Sequence, residues 1–317
     1  MKKICLIWVV LTLCLVGTNA FSYDWNITQL TDNTYDDYHP VINNNGSVVW
    51  CGNVDTDYEI FLYNGSSTVQ LTNNSYDDWA PDINDNGDMA WWAVDNGIFF
   101  YNGSTIQQIA ISGVKARMNN NGDIVWYKSH ANPEIYLYDG STTSQIGRGY
   151  SPYINDNGYV VWDNNVGVFQ YDGSDTVPLG TGSGANINNN GQVVWEGAGE
   201  KSLEIFKYDG FTATKLTDNN YQDSNAYTND NNDVAWCGYI NNKDAEILLY
   251  DGSSVLQLTD NFFNDYDPSI NNNRSIVWYG FDGTDYEIYL VSPVPEPATF
   301  LLLGTGFMPF LRRKVLK

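Results

Sequence analysis

One nine-residue pattern occurs seven times in this chain of 317 residues. It reads INNNGSVVW ending at Trp50, INDNGDMAW at Trp91, MNNNGDIVW at Trp126 and INDNGYVVW at Trp162. It returns as INNNGQVVW at Trp195, TNDNNDVAW at Trp236 and INNNRSIVW at Trp278. The tryptophans lie 33 to 42 residues apart. A period of that size signals a propeller or a solenoid, and the content of each period decides between them.

Each period holds four short runs of β-branched and aromatic residues, which suit pleated strands. After a brief first run comes the Asn/Asp/Gly turn, then a run such as SVVW, then EIFLY, a second turn, and TVQLT. The second turn recurs as Asn64-Gly65, Asn102-Gly103, Asp139-Gly140, Asp172-Gly173, Asp209-Gly210 and Asp251-Gly252. Such dipeptides predict tight hairpins with both central residues at positive φ. Four antiparallel strands per period predict an all-β, seven-bladed β-propeller. The count also predicts the closure. Seven third strands have only six fourth strands after them, and ITQLT (27–31) matches the missing one. The N-terminal strand is therefore expected to complete the last blade, which removes an open sheet edge.

The unit QLT…P-x-I-N-x-N-G-x-V-V-W…E-I-F-L-Y-[ND]-G resembles the repeats of TolB-type, WD-repeat-like propellers, with Asn-Asn-Asn-Gly in place of their Ser-Pro-Asp-Gly turn. The resemblance implies the fold and very little about function, because propellers host binding, scaffolding and catalysis alike. A residue repeated seven times is architectural. Trp50, Trp91, Trp126, Trp162, Trp195, Trp236 and Trp278 are thus expected to pack between neighbouring blades. The recurring Glu59, Glu134, Glu204, Glu246 and Glu287 are expected to hydrogen-bond loops, not to act as acids.

Both ends read as addresses. Residues 1–20 carry Lys2 and Lys3, an apolar run from Ile4 to Val16, and Thr18-Asn19-Ala20 at a signal-peptidase site, a secretory signal peptide. A lipoprotein reading through Cys14 meets Leu13, where a small residue is needed. The propeller is assigned residues 21–292. In 293–317, Val294, Pro295, Glu296 and Pro297 precede an apolar stretch, then Arg312, Arg313 and Lys314. This order closely resembles the PEP-CTERM sorting signal. The resemblance implies a Gram-negative exporter, an exosortase-type processing enzyme as partner, and delivery to the surface or an exopolysaccharide matrix. The apolar stretch, broken by Pro309, is short for a permanent transmembrane helix and suits transient membrane anchoring.

Net charge is −23, and six of the fifteen Lys/Arg lie in those two ends. The segment between them therefore carries about −28, which disfavours nucleic acid and anionic lipid as partners. No G-x-S-x-G, H-E-x-x-H, Walker loop or EF-hand pattern occurs. Two histidines, His39 and His130, are too few for a His-rich metal site. No cofactor and no catalytic residue is assigned. Weakly bound calcium remains an open option at Asp55, Asp57 and Glu59 or in the NDNND run, although their spacing matches no established loop. Cys51 and Cys237 lie two repeats apart around the ring, too far for a disulfide, and are expected to be unpaired and buried.

Strand direction places the Asn-rich and Tyr-Asp-Gly turns on one face and the inter-blade loops on the other. The inter-blade loops leading into repeats six, seven, one and two are longer than the rest. They share an aspartate (Asp223, Asp265, Asp37, Asp78), and three add an aromatic residue (Tyr266, Tyr38, Trp79). This arc is the candidate ligand-binding surface, for polysaccharide or a surface protein, the alternative being that these loops pack on themselves. The expected function is non-catalytic binding or scaffolding at the surface or in the matrix. The alternatives are an extracellular glycan lyase or hydrolase using acids such as Asp37 or Asp78, and a periplasmic TolB-like accessory protein. The absence of a singular His/Arg/acid cluster in the sequence argues against an enzyme.

Overall fold

The computed structural model describes residues 24–128, 131–240 and 244–294. These residues form seven four-stranded antiparallel sheets, each following chain order apart from the one that closes the ring. The first strands are Asp37–Ile42, Asp78–Ile83, Val114–Met118, Tyr150–Ile154, Ser183–Ile187, Asp223–Thr228 and Asp265–Ile270. All seven line one axial cavity, so they ring the channel of a seven-bladed propeller. The last blade is completed from the N-terminal side, with Asp24–Gln29 beside Tyr286–Val294. The contact runs on past the strand: Leu30 N–H donates to Ile288 O (2.7 Å) and Ile288 N–H to Thr31 Oγ1 (2.8 Å). Among the described residues no helix is long and apolar enough to cross a membrane. The signal peptide, the sorting motif beyond Val294 and its apolar stretch lie outside the described residues.

The cores lie between blades. Trp91, 1% exposed, joins Ile83 and Met89 of its own blade to Val49, Cys51 and Ile60 of the blade before it. The same arrangement recurs at each seam, and all seven repeated tryptophans are buried. Burying an indole of about 200 Å² contributes at most about 5 kcal/mol. Cys51 and Cys237 are buried and unpaired, as their spacing around the ring requires.

Turn chemistry departs from the expectation. In the second turn only the glycine has positive φ, for instance +92° at Gly65 and +88° at Gly140. The Asn or Asp before it acts as an acceptor instead: Asp139 Oδ1 receives the N–H groups of Ser141 (2.9 Å) and Thr142 (2.7 Å). A side chain that satisfies two turn amides fixes the loop without left-handed backbone at its own position.

The Asn-rich turns do more than turn. The first Asn of each turn accepts two amides of its own turn and donates across the seam to the next. Asn43 Nδ2 reaches Asn84 O (2.9 Å), Asn84 reaches Asn119 O, and so on until Asn271 reaches Asn43 O (3.0 Å). A second ring runs through the middle positions, from Asn44 N–H to Asp85 Oδ1 (2.8 Å) and round to Asn272 N–H on Asn44 Oδ1 (2.8 Å). Those positions alternate: Asn44, Asp85, Asn120, Asp156, Asn189, Asp230, Asn272. Each aspartate takes amide hydrogens from both flanking asparagines, as when Asp156 Oδ2 accepts from Asn120 Nδ2 (3.0 Å) and Asn189 Nδ2 (2.8 Å). Seven is odd, so one Asn–Asn junction remains, between Asn272 and Asn44, at the seam where the ring closes.

Candidate functional site

The long inter-blade loops are pinned by one repeated device. In repeat one, Asn33 N–H donates to Glu287 Oε1 of the previous blade (2.8 Å), and its Nδ2 donates to Asp37 Oδ2 (2.7 Å). Trp50 Nε1–H donates to the other oxygen, Asp37 Oδ1 (3.1 Å). Repeats two, six and seven copy this through Glu59, Asn74, Asp78 and Trp91, then Glu204, Asn219, Asp223 and Trp236, then Glu246, Asn261, Asp265 and Trp278. The four glutamates therefore hold loops, as the sequence implied. Glu134, which precedes a short loop, instead accepts from Tyr136 OH (3.0 Å).

The arc of four aspartates and three aromatics divides. Asp37, Asp78, Asp223 and Asp265 are between 0% and 3% exposed and turn toward the tryptophans, so their carboxylates are not on the surface. Burial pushes Asp37 up to about 7 and Asp78 up to about 6, and raises Asp223 and Asp265. In blades four and five, with short loops, the tryptophan donates to backbone instead: Trp162 Nε1–H to Arg148 O (3.1 Å) and Trp195 Nε1–H to Thr181 O (3.2 Å). Gly149 and Gly182 lie flat against those indoles, where a Cβ would come within 2.3 and 2.5 Å of the ring.

The three aromatics do come together. Tyr38 meets Tyr279 edge-on (5.1 Å) and Tyr286 (5.3 Å), Trp79 packs on Tyr58 (3.9 Å), and Tyr266 meets Tyr279 (5.7 Å). His39 bridges to Trp79 (5.8 Å) and Tyr279 (6.2 Å). The result is one half-buried aromatic surface over blades seven, one and two, beside the channel mouth.

That mouth holds residues the repeat pattern hides. Every first strand carries a register shift one step inside its loop end, between Tyr38 and Val41 in blade one and at the matching place in the others. Each bulge sets one residue in the left-handed region: His39, Ala80, Lys115, Ser151, Gly184, Asn225 and Asp267, with φ from +45° to +66°. A bulge re-aims its side chain. Here the bulges surround a cavity of about 260 Å³, lined also by Trp79, Trp92, Tyr153, Tyr227, Arg117 and Tyr279. Arg117, Tyr153, Asn186 and Tyr227 line both this cup and a second cavity beneath it, so they form the partition. Tyr153 OH and Tyr227 OH share a hydrogen bond of 2.7 Å from blades four and six.

A singular His/Arg/acid cluster therefore exists, contrary to the sequence reading. His39 Nδ1 lies 2.7 Å from Asp267 Oδ2, and Lys115 Nζ donates to Ser151 Oγ (3.1 Å). The Arg117 guanidinium sits 4.9 Å above the Tyr153 ring and donates to Ala116 O (2.9 Å). Burial alone would raise Asp267, but the hydrogen bond from His39 and the charges of His39, Arg117 and Lys115 hold it low. Desolvation by the cup walls lowers Lys115, with Arg117 adding to it and Asp267, Asp163 and Glu196 partly opposing. Burial raises Asp82 below the partition, against the pull of Arg117 and the Met118 N–H at 2.7 Å. Aligning the repeats and asking where charge appears in an otherwise plain strand would have found Lys115, Arg117 and Asp267.

Among the described residues, one trio of acids converges, Asp32, Asp282 and Glu287, with one oxygen of each within 4.8 Å of the others. It is not the pair of runs singled out for calcium. In the NDNND run, Asp230 belongs to the asparagine belt and buried Asp233 pairs with Arg274 Nε (2.8 Å).

Residues 293–314 match the PEP-CTERM protein-sorting motif. The chain is thus an exosortase-processed export substrate bound for the cell surface or exterior. No curated protein matches the chain. Solved propellers do. The β-propeller domain of the Trilobed protease from Pyrococcus furiosus is 12% identical, with TM-score 0.64 over 82% of this chain and 94% of that one. The oligogalacturonate lyase of Vibrio parahaemolyticus is 14% identical, TM-score 0.65, covering 87% and 98%. A virginiamycin B lyase from Staphylococcus aureus is 12% identical, TM-score 0.61, covering 86% and 100%. At such identities the likeness establishes the fold alone.

Proposed function

We propose that the protein is a non-catalytic binding or scaffold protein of the cell surface or exopolysaccharide matrix, and that its loop face holds polysaccharide. The observation that carries this reading is the aromatic surface of Tyr38, Trp79 and Tyr266 joined to Tyr58, Tyr279 and Tyr286 beside a concave mouth. Half-buried rings beside a cup suit sugar faces, since they stack at little cost in side-chain entropy. The sorting motif supports this reading, since it sends the protein to the cell surface or exterior. The test is retention of the Tyr38→Ala, Trp79→Ala, Tyr266→Ala triple variant on the cell's own exopolysaccharide. The expected result is loss of retention with the fold intact, and full retention would refute the reading.

A second reading, an extracellular glycan lyase or hydrolase, is favoured by one observation, the His39–Asp267 contact of 2.7 Å in the cup. Asp267 would orient the imidazole as a general base, with Lys115 and Arg117 beside it to hold developing negative charge. New reducing ends or unsaturated products from a polysaccharide panel would establish it, and binding without turnover would favour the first reading.

A further inference from the structure

We propose that the cup at the loop-side mouth of the channel seats one carboxylate-bearing sugar residue, a uronic acid at the end or on a branch of an acidic glycan. This rests on the polysaccharide-binding reading and names the ligand class. The chain has 38 acids against 15 Lys/Arg, of which only nine lie between the two terminal signals. The cup inverts that ratio. Its wall carries Lys115 and Arg117 against a single acid, Asp267, which is itself paired with His39. In a protein this acidic, cations gathered in a concave, partly desolvated site point to a negative group there.

The rest of the cup argues for a sugar over a bare anion. A simple carboxylate such as acetate brings no donors and hydrogen phosphate only one or two, whereas a sugar brings several hydroxyls that need acceptors. Asp267 Oδ1, Ser151 Oγ and the Asn225 amide supply them, since only Oδ2 of Asp267 is taken by His39. Trp79 and Tyr279 line the same cup, and the buried Trp92 indole N–H has no hydrogen-bond partner. The volume of about 260 Å³ falls just under the range of roughly 300–1,000 Å³ that holds drug-sized ligands, which suits one residue. The Arg117, Tyr153 and Tyr227 partition lies across the channel, so a chain would present an end or a branch to it and not thread through. Lys115 is the anchor: it donates to Ser151 Oγ with one N–H and has two more for a carboxylate.

The protein purified from its secreting cell is titrated at constant ionic strength with galacturonate and glucuronate. Galactose, glucose, acetate and phosphate serve as controls, and calorimetry and tryptophan fluorescence are the readouts. Saturable binding of at least one uronate is expected, about tenfold or more tighter than its neutral sugar and than either simple anion. Lys115→Ala should weaken it roughly ten- to hundredfold, the range for one charge-assisted hydrogen bond, and Lys115→Arg should restore most of it. Melting temperature checks that each variant is folded. Binding of neither uronate, equal binding of neutral sugars or of acetate, or an unaffected Lys115→Ala variant would each overturn the proposal. If exopolysaccharide retention persists while the uronates fail, the ligand class is wrong and the polysaccharide-binding reading stands. If retention also fails, both fall.

Discussion

The two mouths of the channel are made by the same seven strands and follow opposite rules. At the asparagine mouth the hydrogen-bonding positions follow a strict pattern. The first Asn never changes, and the middle position alternates Asn and Asp because each carboxylate takes hydrogens from both neighbours. At the loop mouth the matching ring reads His39, Ala80, Lys115, Ser151, Gly184, Asn225 and Asp267. Backbone geometry there is as regular as at the other end, and only the side chains differ. Repetition follows the seams, where every blade must meet its neighbour alike. Variation marks the place where seven equivalent positions are free to build one asymmetric site.

The sharpest way to break this comparison is at the belt. Asn84→Ala removes an inter-blade bond to Asn119 O and three bonds within its own turn at a site 4% exposed. At about 1 kcal/mol each, the loss should reach roughly 4 kcal/mol in urea unfolding, while uronate affinity of the folded protein stays unchanged. Asp156→Asn should cost less, about 1–3 kcal/mol, because an amide would meet the Asn120 and Asn189 donors in place of a carboxylate.

The buried loop aspartates give the next effect. Burial holds Asp37 near 7 and Asp78 near 6, above their unfolded values. The folded state then binds more protons than the unfolded chain between about pH 4 and pH 7, so stability falls as pH rises through that window. Thermal melts should show a lower midpoint at about pH 8 than at about pH 5. Asp37→Asn should flatten the slope, and an unchanged slope would place its origin in general charge repulsion instead. The smallest expected effect is that of Lys115→Ala on stability, within about 0.5 kcal/mol, because the residue is exposed and its one hydrogen bond is to Ser151.

The propeller, its blade count and its closing strand were legible because they rest on repetition, and Trp50 with its six equivalents declared the seams. Asp37, Asp78, Asp223 and Asp265 misled for the same reason. Recurrence across four long loops marked them as architecture, the rule already applied to the glutamates, yet their position on loops suggested a ligand. The asparagine alternation was also readable, as NNN and NDN in turn, but its reason lies in hydrogen bonds between residues 33 to 42 positions apart. The cup was hidden for a different reason. A bulge leaves no mark in composition, and Lys115 and Arg117 in blade three, His39 in blade one and Asp267 in blade seven look like scatter until the ring brings them together.

The most direct test is a crystal structure of the secreted protein soaked with galacturonate or glucuronate, whichever binds in solution. The account requires the sugar in the loop-side cup, its carboxylate within hydrogen-bond reach of Lys115 Nζ and its ring against Trp79 or Tyr279. A uronate held at the asparagine mouth, or in a groove between blades with the cup empty, would contradict it.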